Sequence, residues 1–210
     1  MNISLNHKRI KDRTKAITCF IFLFFNSSIL LGQNPCNTII QKVHINDKAF
    51  TVYKAKLDEA KNNYTQNPSA DNLIWLGRRT AYLGHYENAI DIYTKGIDQY
   101  PKDARFSRHR GHRYISIRCF NLAIKDFKKA ARLTRGKPNK VEPDGLPNAL
   151  NIPTSTLQGN IYYHLGLVYY IQGKYRQALW AYKKCLSLAK NPASYVAAAK
   201  WLYAVSYTHL

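Results

Sequence analysis

The stretch Arg105 to Arg118, RFSRHRGHRYISIR, holds five arginines and two histidines without an acid in fourteen residues. Planar guanidinium forks of this kind suit carboxylate or phosphate groups. His109 and His112 stand three apart, a spacing that brings two imidazoles to one side of a helix. No acid lies near them, and the surrounding arginines oppose a cation, so no metal site is expected. Elsewhere acids are scarce: Asp58 and Glu59 are neighbours on a solvated helix, and Glu142 and Asp144 fall in a proline-rich loop. Neither pair has a spacing suited to acid–base chemistry. The chain carries no GxSxG, HExxH, P-loop or dinucleotide fingerprint. The expectation is therefore no catalytic residues, no cofactor and no enzyme activity, with His164 a framework histidine.

These residues belong to a chain of 210, of which 46% are apolar, enough for one ordinary folded domain with attachments. The first 32 residues differ in kind from the rest. MNISLNHKRIKDRTK has five Lys/Arg against one Asp, and an uncharged apolar run follows from Ala16 to Leu31 before Gly32. A basic segment, an apolar run and a small residue form the order of a secretory signal peptide. The run is 16 residues long with Asn26, Ser27 and Ser28 inside it, short of the roughly 20 needed to span a bilayer. Export by a cleaved signal is expected, to a periplasmic or extracellular location; the alternative is a membrane anchor formed by residues 16–31. Residues 33–46 read as a linker.

Removing the leader leaves 27 basic and 11 acidic residues, net +16. That excess favours anionic partners, and export makes nucleic acid the least expected of them. Cys36, Cys119 and Cys185 remain once Cys19 in the apolar run is set aside. An oxidising compartment allows one pair to bridge, and the spacing does not choose which.

An internal period organises the rest. ENAIDIYTKGIDQYP at 87–101, FNLAIKDFKKAARL at 120–133 and YRQALWAYKKCLSL at 175–188 align, each with an alanine four residues before an aromatic: Ala89 and Tyr93, Ala123 and Phe127, Ala178 and Tyr182. Gly77, Gly111 and Gly166 stand 12 residues before those alanines. The first two copies are 34 residues apart and the next two 55, so an insertion of 21 separates them. The third copy is the fullest, with Tyr162, Leu165, Gly166, Tyr169, Gly173, Tyr175, Ala178 and Tyr182. The second departs most: Ser107 replaces an aromatic, and Arg110 replaces a leucine for no reason visible in the sequence.

This landmark order resembles the tetratricopeptide repeat. The resemblance implies an all-α fold, a right-handed α-solenoid of stacked antiparallel helix hairpins, with repeats at 70–103, 104–135 and 158–191. Glycine and alanine should sit where the two helices of a hairpin cross, and Gly84 and Gly173 at the turn between them. Phe50, Tyr53, Leu57, Ala60 and Tyr64 follow helical spacing within 47–69, read as a leading cap. Residues 136–157 hold four prolines and two glycines and form the inter-repeat insertion; Leu146, Leu150, Ile152 and Leu157 give it apolar groups with which to pack. Residues 192–210 open a further helix whose partner does not appear. The closing AVSYTHL resembles translated adapter read-through, which would truncate a longer solenoid; a native capping helix is the alternative.

In proteins of this family the first helix of each repeat lines a concave groove. Carried over residue by residue, the groove positions are Asp71, Ile74, Arg78 and Ala81; Arg105, Arg108, His112 and Ile115; and Asn160, Tyr163, Leu167 and Tyr170. Arg105, Arg108 and His112 share a face by spacing, giving a groove basic at its middle and tyrosine-lined towards the third repeat. The candidate binding residues are Arg78, Arg105, Arg108, His112, Asn160, Tyr163 and Tyr170. The expected function is a non-catalytic scaffold for an acidic peptide or partner protein. The lysine and asparagine clamp of the family's chaperone adaptors is not reproduced. Two alternatives stay open, an electrostatic module for acidic glycan or lipid surfaces and a fragment of a larger envelope protein. Membrane contact is expected only through an uncleaved leader.

Overall fold

The computed structural model describes Cys36, residues 45–143, Leu150 and residues 154–209. The expected leader at 1–32, nearly all of the linker, and Asp144, Leu146 and Ile152 lie outside the described residues. Among the described residues are eight helices: α1 Asp47–Gln66, α2 Ala70–Tyr82, α3 Tyr86–Gln99, α4 Ala104–Ser116, α5 Phe120–Thr134, α6 Leu157–Ile171, α7 Tyr175–Ser187 and α8 Pro192–His209. Each packs on the next, and α2, α4, α6 and α8 also touch in succession, which makes them one wall of an α-solenoid. No helix among the described residues is long and apolar enough to cross a membrane.

Local chemistry sets where these helices start. Ser69, Asp103 and Thr156 cap α2, α4 and α6, each accepting with a side-chain oxygen from a backbone N–H of the first turn. The second helices follow His85, Cys119 and Lys174 with no side-chain cap. Their entry is fixed from behind: Cys119 N donates to Tyr114 O and Lys174 N to Tyr169 O, both at 2.8 Å, the bond that closes a Schellman turn. Such a turn needs a left-handed residue, supplied by Gly84 at φ 80° and Gly173 at φ 69°. At the same place in the second repeat stands Arg118, at φ 59°.

The crossing glycines lie against the aromatic landmarks. A Cβ on Gly77 would fall 2.5 Å from the Tyr93 ring, one on Gly166 2.8 Å from Tyr182, and one on Gly111 3.1 Å from Phe127. Ala89, Ala123 and Ala178 are buried beside those rings. Gly96 of α3 meets Phe106 in the same way, a close approach between successive repeats that the landmark pattern did not single out.

Two apolar segments are buried only in part. Leu57 and Ala60 of α1 are buried, but Phe50 is 49% exposed: α1 has 20 residues against 13 in α2, so its first turns overhang its partner. In the insertion, Leu157 packs on the core whereas Leu150 is exposed. Polar groups fasten the described part of the insertion instead. Val141 and Thr156 form an antiparallel bridge, Asn139 Nδ2 donates to Thr156 Oγ1 at 2.9 Å, and Asn191 Nδ2 donates to Thr154 O at 3.0 Å. Cys36 is disulfide-bonded to Cys119 at the α4–α5 turn, beside buried Ile117, and Cys185 is a buried free thiol.

Candidate functional site

The first helices and the start of α8 enclose a cavity of about 480 Å³. Arg78 of α2 enters it with Arg108, His109, His112 and Arg113 of α4, and Asn160, Tyr163 and His164 of α6. Cys185, Leu188, Ala189, Ala193 and Ala197 supply an apolar side. Four first-helix segments meet here because small residues at the crossings let the hairpins stack closely.

Arg108 is buried, and its Nη2 donates to Glu142 Oε2 at 2.9 Å. Its Nη1 donates to His109 Nδ1 at 2.9 Å, so His109 is the neutral tautomer protonated on Nε2. His109 stacks on Tyr93 with ring centres 5.4 Å apart. Arg113 Nη2 donates to His112 Nδ1 at 2.9 Å. His164 Nδ1 donates to Asn160 O at 2.7 Å, and its ring lies 4.4 Å from that of His112. Burial, followed by the Arg108 charge, pulls His164 down to about 3. Burial and then neighbouring His164 hold His112 well below the usual imidazole range. Both rings are neutral, so the charge of the cavity comes from its arginines.

Arg113 is distinctive among these. Burial pulls its guanidinium below the ordinary value, and the groups around it are tyrosines and Arg108, not acids. Its cation sits 5.6 Å from the centre of the Tyr86 ring. No carboxylate of the described residues pairs with it. A half-buried guanidinium without a counter-charge is partly desolvated and disposed to accept an anion.

The sequence-derived positions divide. Arg78, Arg108, His112, Asn160 and Tyr163 meet around the cavity. Arg105 does not: Asp103 takes it in a bidentate contact and Asp71 binds its remaining nitrogen, an arrangement that raises it above its ordinary value. It lines a separate outer groove with Lys137, Val141 and Glu142. Tyr170 packs against Trp201 and Tyr175, with ring centres 5.3 and 5.8 Å away. The basic helix looked unbalanced in sequence because its acids come from elsewhere: Asp71 from α2, Asp126 from α5 and Glu142 from the insertion. Arg110, the departure from the leucine pattern, donates to both carboxylate oxygens of Asp126 at 2.7 and 2.8 Å and to Thr94 Oγ1 at 2.9 Å. Burial works against its charge, but Asp126 outweighs it and raises the Arg110 value.

Comparison with known proteins agrees with this architecture. Residues 159–192 match the tetratricopeptide repeat. The small glutamine-rich tetratricopeptide repeat-containing protein 2 of Saccharomyces cerevisiae is 28% identical over 147 residues, 66% of this chain and 36% of that protein. The chain thus spans about a third of that relative. Among solved structures, a tetratricopeptide protein of Thermus thermophilus superposes with a TM-score of 0.57 at 20% identity, covering 77% of this chain and 78% of the other. The first such domain of Spaghetti, bound to an HSP90 peptide, gives 0.51 at 24% identity, with 66% and 90% covered. The molecule is an all-α helical repeat protein whose third hairpin is similar to the tetratricopeptide repeat.

Proposed function

We propose that this chain is a non-catalytic interaction module whose concave wall receives an acidic segment of a partner protein. The observation that carries this reading is Arg113, a half-buried cation with no carboxylate partner among the described residues, opening with Arg78 and Arg108 onto one cavity. Tyr163 stands on the α6 side, its hydroxyl accepting from Trp201 Nε1 at 2.9 Å, and gives amphipathic surface to the body of a ligand. The Spaghetti domain, similar in fold, is bound to the HSP90 peptide SRMEEVD; that likeness is one of fold, and the HSP90 tail is not carried over here.

The test is binding of a fluorescein-labelled octaglutamate, with octaglutamine as control. Arg113→Gln should weaken octaglutamate binding about tenfold or more, the scale of one lost charge-assisted contact. Arg105→Gln, whose guanidinium is already engaged, should leave it within about twofold. Equal binding by wild type and Arg113→Gln would remove the reading.

We further propose that the protein is exported. The basic and apolar order of residues 1–32 supports this, as does the Cys36–Cys119 disulfide, a bond at home in an oxidising compartment. Mass spectrometry of alkylated protein from separated cell fractions tests it: an envelope or secreted form lacking about the first 32 residues is expected, and an intact, fully reduced cytoplasmic form would overturn it.

A further inference from the structure

The acid nearest the candidate groove is part of the chain itself. Glu142 lies in the insertion, 34 residues after Arg108 in sequence, yet its side chain is only 2% exposed. Its Oε2 accepts from Arg108 Nη2 at 2.9 Å and also from Asn160 Nδ2. Both donors belong to the groove positions carried over from the repeat pattern, one on α4 and one on α6. Glu142 lines the outer groove, and its partners Arg108, Asn160 and Ser155 line the cavity, so it stands in the wall between the two. An extended ligand running along the first helices from Arg105 to Tyr163 would meet this carboxylate midway.

The backbone around Glu142 is built to deliver it. Glu142 N donates to Ser155 O and Leu157 N donates to Lys140 O, both at 3.0 Å, on either side of the Val141–Thr156 bridge. Gln158 N donates to Asn139 Oδ1 at 3.1 Å, and Gln158 Nε2 donates to Lys137 O at 2.8 Å. This pinned base holds the carboxylate at a high effective concentration, since both legs are ordered before any ligand arrives.

We propose that Glu142 is an intramolecular competitor for the groove, occupying the Arg108 and Asn160 donors that an acidic partner segment would otherwise engage. The proposal rests on the acidic-ligand reading above and adds its regulation: a partner binds productively only by displacing this carboxylate. Charge supports it, because Glu142 neutralises Arg108 in the wall of the cavity, and withdrawing Glu142 frees that guanidinium for the carboxylate of a ligand. Hydrogen bonding supports it as well, because Asn160 Nδ2 also donates to Ser155 Oγ at 3.0 Å and so keeps one partner when Glu142 leaves.

The experiment uses the full chain and the octaglutamate and octaglutamine probes. Glu142→Gln keeps the shape and an oxygen acceptor but removes the charge. Octaglutamate should then bind about tenfold tighter, with octaglutamine unchanged. Adding Arg108→Gln to that variant should cancel the gain. If wild type binds octaglutamate and Glu142→Gln binds it equally or more weakly, the competitor role fails while the groove reading stands. If neither binds, both fail. Should Glu142→Gln melt early, Glu142→Asp shortens the reach to Arg108 while keeping the charge, and a smaller tightening is expected; no tightening overturns the proposal.

Discussion

Helices α4 and α6 occupy the same place in successive repeats and solve the same packing problem with opposite chemistry. In α6 the inward positions are Ile161, Leu165, Val168 and Tyr169, all buried, and the helix closes through Gly173. In α4 they are Phe106, Ser107, Arg108, His109 and Gly111, and the helix closes through Arg118. Where the other repeats carry Leu76 and Ile92, and Leu165 and Ala181, at the equivalent positions, the second pairs Arg110 with Asp126. A helix hairpin can therefore keep its backbone while an apolar contact is replaced by an ion pair, provided both members change together. The changes in α4 place arginines beside a cavity; those in α6 build core.

The largest expected difference between the two repeats lies at their turns. The α4–α5 turn is tied to Cys36, whereas its counterpart before α7 is Lys174, which has no such tie. Cross-linking residues 83 apart removes about 4 to 5 kcal/mol of unfolded-state entropy in the chain-entropy model. Cys36→Ser together with Cys119→Ser should lower stability in urea by that order, and Cys185→Ser by far less. A loss under about 1 kcal/mol for the double variant would show that the bridge does not anchor this turn.

Next is the ion pair. Asp126→Ala leaves the partly buried Arg110 without its acid and should cost about 2 to 3 kcal/mol. Arg110→Leu with Asp126→Ala restores the apolar pattern of the third repeat and should recover most of that loss, even exceeding wild type. A double variant as unstable as Asp126→Ala alone would show that α4 has adapted around the pair.

Acid should act on the same helix. His164 of α6 and His112 of α4 are held neutral against each other, with Arg108, Arg113 and His109 facing them. Their folded values lie below the unfolded 6.5, so the unfolded chain binds more protons and stability falls as pH drops below about 6.5, continuing for His164 to about 3. Each contributes a slope of up to about 1.4 kcal/mol per pH unit. His164→Gln should flatten thermal stability between about pH 6.5 and 4.5, a window above most carboxylate titration; an unchanged slope would assign the acid sensitivity elsewhere.

The crossing glycines sharpen the contrast at smaller scale. A methyl at Gly166 meets Tyr182 at 2.8 Å, and one at Gly111 meets Phe127 at 3.1 Å. Gly166→Ala should lose about 1 to 3 kcal/mol to overpacking, beyond the gain in helix propensity. Gly111→Ala should come close to neutral. The reverse order in urea unfolding would mean that the second crossing is the tighter.

What could be read beforehand follows the range of the interactions. Helix positions, crossing glycines and the third repeat rest on local periodicity and are carried by residues such as Gly166, Ala178 and Tyr182. The Arg110–Asp126 pair also left a trace, because both depart from the pattern within one repeat at positions that face each other across a hairpin. Arg113 left none: the tyrosines around it, Tyr82 of α2 and Tyr86 and Tyr93 of α3, come from the neighbouring repeat. Glu142 left none either, since it reaches Arg108 from an insertion whose path no period governs. Composition alone made α4 look like a free basic surface, but Arg105 is held by Asp103 at the helix's own N-cap together with Asp71 of α2, and Arg108 by Glu142 of the insertion.

The smallest effect concerns the turn residue itself. Gly84 and Gly173 take positive φ at no steric cost, whereas Arg118 holds φ 59° with a Cβ facing the following carbonyl. The disulfide at the adjacent Cys119 fixes this turn, which explains how a non-glycine residue is retained there. Arg118→Gly relieves about 1 to 2 kcal/mol of backbone strain and returns part of it as unfolded-state entropy, for a net gain of about 1 kcal/mol. Arg118 is exposed, so loss of its side chain removes little packing. In the Cys36→Ser, Cys119→Ser background the turn relies on its backbone alone, and the gain should be at least as large. If Arg118→Gly destabilises both backgrounds, the left-handed conformation is not where the second repeat differs in stability from the third, and the difference must lie within α4.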